Sequence, residues 1–325
     1  MTILVTGGAG YIGSHTVHAL LDRGDTVVVL DDLSTGVKAQ VGAGAAFVQG
    51  DVADTALLRR VIAEHGVDSV IHFAGSIVVP ESVADPLAYY DNNVVKSRAL
   101  IAACVAANVP QMIFSSTATV YAEDAAQPLA EASPKAPISP YARSKLMTEW
   151  MLEDVSKATK LRHMVLRYFN VAGADPKGRT GQSTPKATHL IKRAAQVALG
   201  RVPHLDIFGT DYPTPDGTGV RDYIHVSDLA AAHLLALDAL KKGATSTAYN
   251  VGYGKGASVR EVITGVERVT GSKLPVKESP RRPGDPPTLI SDPSRIKAQL
   301  GWKPAHEDLD GIIASAFAWE KRINT

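Results

Sequence analysis

Residues 2–5 form a short apolar run that breaks into Gly7-Gly8-Ala9-Gly10-Tyr11-Ile12-Gly13 before a helical pattern begins. Glycines at that spacing turn the backbone sharply from a strand into a helix and leave no side chain where the chain approaches itself. Such a turn admits a pyrophosphate, whose charge then meets the positive end of the helix. Taken alone the feature is weak, because any tight strand-to-helix turn can use glycine. The spacing Gly7, Gly10, Gly13 also differs by one residue from the commonest Gly-x-Gly-x-x-Gly form.

The residues that follow supply context. Short β-branched runs at 3–6, 26–30, 46–48, 69–73, 111–115 and 164–168 read as buried parallel strands. Helix-length stretches lie between them at 13–23, 55–65, 86–108 and 140–159. This alternation predicts an α/β fold, a doubly wound parallel sheet with helices on both faces. Residues 1–170 are assigned to a dinucleotide-binding domain. Residues 171–325 are assigned to a smaller C-terminal substrate domain, with about 223–251 packing back on the first. Stretches 175–188 and 213–219, rich in Gly, Pro, Ser and Thr, read as functional loops.

The second strand ends at Asp31, where a carboxylate bonds an adenosine ribose and repels a 2′-phosphate, so NAD is expected over NADP. Asp51-Val52 and Phe73-Ala74-Gly75 follow two further strands and are placed along the same crevice, although Phe73 reads nearly as well as a core aromatic. Composition excludes several other classes. A net charge of +1 offers no global attraction for nucleic acid or an anionic membrane. No stretch approaches the roughly 20 apolar residues of a membrane span. The lone Cys104 allows neither a disulfide nor a thiolate zinc cluster, so no metal is expected. With no export signal ahead of the first strand, the cytoplasm is the expected location.

Tyr141 and Lys145 stand four apart near the start of a predicted helix, which puts both side chains on one face. The lysine charge is expected to draw the phenol pKa down toward neutrality. Ser115-Ser116-Thr117 offers hydroxyls at the carboxyl end of a strand, a setting that ordinary turn chemistry also explains. Beside a bound nicotinamide, these groups would move a proton and a hydride.

The segments TGGAGYIGSH, GDV, IHFAG, PLAYYDNNV, SSTATVYA, SPYARSK, LRYFNVAGA, DIFGTDYPTPDGTGVRDYIHV, YNVG and RRPGD together resemble the extended short-chain dehydrogenase/reductases, and among them the nucleotide-sugar epimerases. The resemblance runs from Met1 to about Trp319. It implies an isomerase with tightly bound NAD that interconverts UDP-glucose and UDP-galactose through a transient 4-keto sugar, working as a homodimer built on helices near 86–108 and 140–159. Tyr141 would be the base, Thr117 would bond the same sugar hydroxyl, and Lys145 would hold the nicotinamide ribose and tune Tyr141. Gly7, Gly10, Tyr11, Ile12, Gly13, Asp31, Asp32, Asp51, Val52, Phe73, Ala74, Gly75, Asn92, Ser115 and Tyr168 would complete the cofactor site. Asn170, His189, Leu190, Arg221 and Arg282 would hold the UDP-sugar, Asp285 its ribose, and Leu289 would limit space around the sugar's 2-substituent. His189 reads equally as a partly exposed loop histidine. The chain departs from the family's usual pattern at Ala122, Ala142, Ile77 and Lys192, none of them a reacting group.

Related dehydratases and decarboxylases place an acid directly after the Ser/Thr hydroxyl. Here Ala118-Thr119 stands there, which leaves epimerisation. Other UDP-sugars (N-acetylhexosamines, pentoses, uronates) remain alternative substrates. A non-catalytic NAD-binding sensor is a further alternative, since a fold does not fix a function.

Overall fold

The computed structural model describes residues 1–184, 188–282 and 285–323. Its strands are β1 (Thr2–Thr6), β2 (Thr26–Asp31), β3 (Ala46–Gln49), β4 (Ser69–His72), β5 (Gln111–Thr117), β6 (Arg162–Tyr168), β7 (Asn170–Ala172), β8 (Leu205–Phe208), β9 (Val220–His225), β10 (Thr247–Val251), β11 (Gly256–Ser258), β12 (Val276–Ser279) and β13 (Thr288–Leu289). The helices are α1 (Tyr11–Asp22), α2 (Thr55–His65), α3 (Val79–Ala84), α4 (Pro86–Tyr90), α5 (Lys96–Ala106), α6 (Pro140–Ala158), α7 (Leu190–Ala198), α8 (Val226–Lys241), α9 (Val259–Thr270), α10 (Ser294–Leu300) and α11 (Leu309–Arg322).

Local signals set many of these limits. Asp54 accepts from the Leu57 amide at 2.9 Å to start α2, and Gly66 ends it in the left-handed region. Ser139 caps α6 ahead of Pro140, and Ser258 with Glu261 forms a capping box on α9. The predicted helix over 86–108 is not continuous. It divides into α4, a π-helical turn at Asp91–Val95, and α5, and that turn re-aims Asn92 and Asn93 toward the sheet end.

Seven strands form one parallel sheet in the order β10-β6-β5-β4-β1-β2-β3. Strand order reverses between β1 and β4, which creates the crevice where such sheets take ligands. The apolar strands face a cluster on either side. One, around Leu4, Leu58, Leu100 and Met112, is covered by α2 and α5. The other runs from Ile3 and Val29 through Leu229 on α8 to Val262 on α9 and Ile312 on α11, so the C-terminal helices share a core with the sheet. A smaller sheet, β11-β9-β13 with β7 beside β9, stands next to the carboxyl ends of the large one. A single residue, the buried Phe169, separates β6 from β7.

The glycine turn sits at the β1 end of the crevice. A Cβ on Gly13 would lie 2.1 Å from the Gly7 carbonyl oxygen, and one on Gly7, at φ +71°, would lie 2.5 Å from the Ala74 amide nitrogen. Backbone thus occupies the space that side chains would need. Gly13→Ala is expected to destabilise the fold by more than about 2 kcal/mol through strain. Gly66→Ala, which meets no neighbour, should cost only about 1 kcal/mol from its positive φ. Thermal unfolding of the two variants checks the ranking.

Candidate active site

Tyr141, Lys145 and Glu149 occupy successive turns on one face of α6, and all three are buried. Lys145 donates from Nζ to the Ser115 carbonyl at 3.0 Å and sits 5.1 Å from the Phe114 ring centre. Burial lowers its pKa to about 8, with Glu149 acting in the opposite sense. One turn on, Glu149 accepts from Ser116 Oγ at 2.5 Å and from Arg167 Nε and Nη2 at 3.0 and 2.5 Å. Burial works against the Arg167 charge, and the Glu149 carboxylate more than compensates, so its pKa is raised.

The expected lowering of the Tyr141 phenol is not what the fold produces. Burial pushes its pKa up to about 12, opposed only by a hydrogen bond with Thr117. Lys145 spends a donor on the β5 backbone, and enclosure outweighs any help to the phenolate. Thr117 also lies 3.0 Å from the Thr119 hydroxyl.

A hydrogen-bonded run ties the strand ends to this helix. Ser97 Oγ donates to the Asn93 carbonyl at 2.7 Å, so it accepts from His72 Nε2 at 2.8 Å, and His72 Nδ1 then accepts from Thr6 Oγ1 at 2.7 Å. Asn93 accepts from the Ser76 amide at 2.7 Å and donates to Ser144 Oγ at 3.0 Å, while Asn92 donates to Ser76 Oγ at 2.8 Å.

The crevice residues fit NAD. Side-chain-free backbone at Gly7, Gly10 and Gly13 opens α1, with Gly10 at its N-cap and Tyr11 and Ile12 in its first turn. Asp31 accepts from the Ala9 and Leu33 amides at 2.9 Å each, and burial still raises its pKa. Leu33 takes φ 62° to make that contact. Asp32 accepts from Ser34. Asp51 pairs with Lys96 at 2.6 Å, and Val52 is buried. The Phe73 and Ala74 amides both donate to the Thr6 carbonyl, Gly75 follows with a positive φ, and the Phe73 ring packs 4.8 Å from that of His233. The Ser115 hydroxyl bonds that of Tyr168.

On the nucleotide side, Asn170 begins β7 opposite Tyr223 on β9. His189 is partly exposed and stands at the N-cap of α7, with Leu190 first in the helix. A small cleft between them is lined by Tyr11, Asn170, Gln182, His189, Leu190 and Tyr223. Arg221 and Asp285, assigned separately to phosphate and ribose, are bonded to each other. Arg282 is exposed, its guanidinium 3.8 Å above the Phe208 ring. Leu289 pairs with Arg221 across β13 and β9 and packs in a cluster with Ala118 and Phe169. Of the departures, Lys192 is buried against Glu320 and Ile77 is exposed. Pro283 and Gly284 of the RRPGD segment lie outside the described residues.

The sequence reading missed Glu149, Arg167 and Asn93. A glutamate four residues beyond Lys145, on the same face, was the available signal for the first. Its partner is visible only in three dimensions.

The sequence profile of the family described as "NAD dependent epimerase/dehydratase family" matches residues 3–252. The UDP-glucose 4-epimerase of Azospirillum brasilense is 57% identical over 321 residues, covering 99% of this chain and 92% of its own length. A solved UDP-glucose 4-epimerase from Brucella ovis, in complex with NAD, is similar with a TM-score of 0.95 at 44% identity over 98% of both chains. The enzyme from Stenotrophomonas maltophila, with bound NAD and formylated UDP-arabinopyranose, gives 0.96 at 40% identity, covering 100% of this chain and 99% of that one.

Removing Glu149 should expose how much the site depends on it. Glu149→Leu leaves the Arg167 charge buried and unpaired and is expected to destabilise by about 3–5 kcal/mol. The double variant Glu149→Leu, Arg167→Met should recover much of that loss, as read from denaturant unfolding of the three proteins.

Proposed function

Because the chain belongs to the NAD dependent epimerase/dehydratase family, we propose that it interconverts UDP-glucose and UDP-galactose by inverting carbon 4 of the sugar. The observation that carries this reading is the bonded pair of hydroxyls, Tyr141 and Thr117, at the end of β5, followed by Ala118 and Thr119. That site can move a proton on and off a hydroxyl. It has no carboxylic acid at 118 or 119 to expel water, so the ketone returns to an alcohol.

Bound NAD would supply a reversible hydride acceptor and a positive charge. Tyr141 takes the proton of the 4-hydroxyl, and Thr117 bonds the same oxygen and relays the proton. Lys145, with one N–H held by Ser115, keeps two donors for the nicotinamide ribose and Tyr141. Burial excludes water from all three, which protects the ketone.

The UDP group is held by Asn170, His189, Leu190, Arg221, Arg282 and Asp285. Arg221 exchanges Asp285 for the diphosphate, which frees the carboxylate for the ribose. Anchoring the nucleotide firmly and the sugar loosely puts binding energy in the part that does not react. Leu289, beside Ala118 and Phe169, offers an acetamido group no hydrogen bond, so sugars without one are preferred.

The chain forms a homodimer through α4, α5 and α6 in this reading. Leu87 is 77% exposed and Trp150 52% exposed on that bundle, with Val95 and Met147 nearby, an apolar surface that calls for a cover. Among the described residues no helix is long and apolar enough to cross a membrane. The cytoplasmic assignment rests on the single, buried Cys104.

Purified protein is expected to convert UDP-galactose to UDP-glucose without accumulating free NADH, followed by coupled oxidation of the product. Tyr141→Phe should lower kcat by about 100-fold while nucleotide binding persists. Wild-type turnover in that variant would sink the assignment. Trp150→Glu should shift the protein from dimer to monomer in sedimentation velocity.

A further inference from the structure

Gln182 is buried in the loop that reaches the nucleotide cleft. The Thr184 amide donates to Gln182 Oε1 at 3.0 Å, which fixes the orientation of the side-chain amide. Its Nε2 is thereby turned to His189 Nδ1 at 3.3 Å. An amide nitrogen can only donate, so Nδ1 accepts, and a neutral imidazole that accepts at Nδ1 carries its proton on Nε2.

The loop around Gln182 is held on several sides. Lys192 donates to the Gln182 carbonyl at 2.7 Å and to the buried Glu320 carboxylate at 2.7 Å. Thr180 bonds Ser14 on α1 at 2.6 Å and Gln40 at 3.0 Å, and Ser183 accepts from the Trp319 indole at 3.2 Å. The amide is therefore aimed by the fold.

We infer that Gln182 is a positioning residue for the substrate site, holding His189 as a neutral Nε2–H donor for the diphosphate of the nucleotide. This rests on the reading of His189 as a diphosphate contact given above. The opposite tautomer would point a lone pair at a phosphate oxygen and repel it. Gln182 thus decides the sign of the contact.

The surroundings keep the ring uncharged. Burial, and then the Lys192 charge, lower the His189 pKa to about 4. Tyr11 from α1 packs edge-on at 6.4 Å, Tyr223 from β9 lines the same cleft, and Lys192 is offset by Glu320 from α11. Arg193, on the same helix, turns away to Gln196.

The test uses the NAD-bound protein labelled with ¹⁵N-histidine, with His189 signals assigned by their loss in His189→Gln. Long-range ¹H–¹⁵N spectra are expected to show a protonated Nε2 and a bare Nδ1, unchanged between about pH 6 and 7.5. In Gln182→Glu the carboxylate accepts from the ring, which moves the proton to Nδ1 and raises the ring pKa. The ring is then charged at low pH and loses that charge as pH rises through the raised value. UDP-glucose binding in Gln182→Glu should therefore weaken about fivefold or more across that range, against a flat wild-type profile. If Gln182→Glu fails to retain NAD, Gln182→Leu replaces it and should weaken UDP-glucose binding about threefold, with both tautomers present. A wild-type His189 protonated at Nδ1 would overturn the inference, as would parallel binding profiles for wild type and variant. Failure of the wild-type protein to bind UDP-glucose would instead defeat the diphosphate reading itself.

Discussion

The ion pair between Glu149 and Arg167 joins three elements at one buried point. Glu149 comes from α6, Arg167 from β6, and Ser116 of β5 closes the set. A buried charge without a partner is costly, so the three elements are favoured in an arrangement that pairs both charges. Tyr141 and Lys145 lie two turns and one turn earlier on the same face of α6. Docking Glu149 therefore carries both of them to the carboxyl end of β5. The α6 groups proposed to serve the proton transfer share their helix face with one member of this buried pair.

Burial sets the chemistry as firmly as it sets the geometry. It lowers Lys145 to about 8, raises Tyr141 to about 12 and lowers His72 to about 3, each toward its uncharged form. A phenol in that setting is a poor base by itself. In the proposed reaction the positive charge of bound NAD would favour the phenolate that enclosure disfavours. Burial by itself keeps the Tyr141 phenol protonated at neutral pH.

Local chemistry is what the sequence made legible. The helix expected at 55–65 is α2, six of the seven strands of the large sheet are expected from β-branched runs, and the seventh, β10, lies in the stretch 223–251 read as packing back on the first domain. Thr117, Tyr141 and Lys145 do meet at one strand end. Other features depend on partners far along the chain. The short strands β7 and β13 exist because β9 pairs with them, and two or three residues carry no periodicity of their own. The π-turn at Asp91–Val95 looks like plain helix until Asn92 and Asn93 are seen clasping Ser76. The pairing of Arg221 with Asp285, and the aim of Gln182 at His189, are facts of space that spacing in sequence does not encode.

Phe169 alone separates β6 of the large sheet from β7 of the small one, and residues 252–255 join the two sheets again between β10 and β11. Tyr168 ends one strand and Asn170 begins the next, and Phe169 itself packs among Ala118, Leu146 and Leu289. The sheet that carries the cofactor crevice and the part proposed to grip the nucleotide are thus joined through a packed residue. The proposed inversion would have to show both faces of a sugar to the same cofactor. In the proposed reaction the turning would belong to the substrate, about the bonds that link its sugar to the diphosphate.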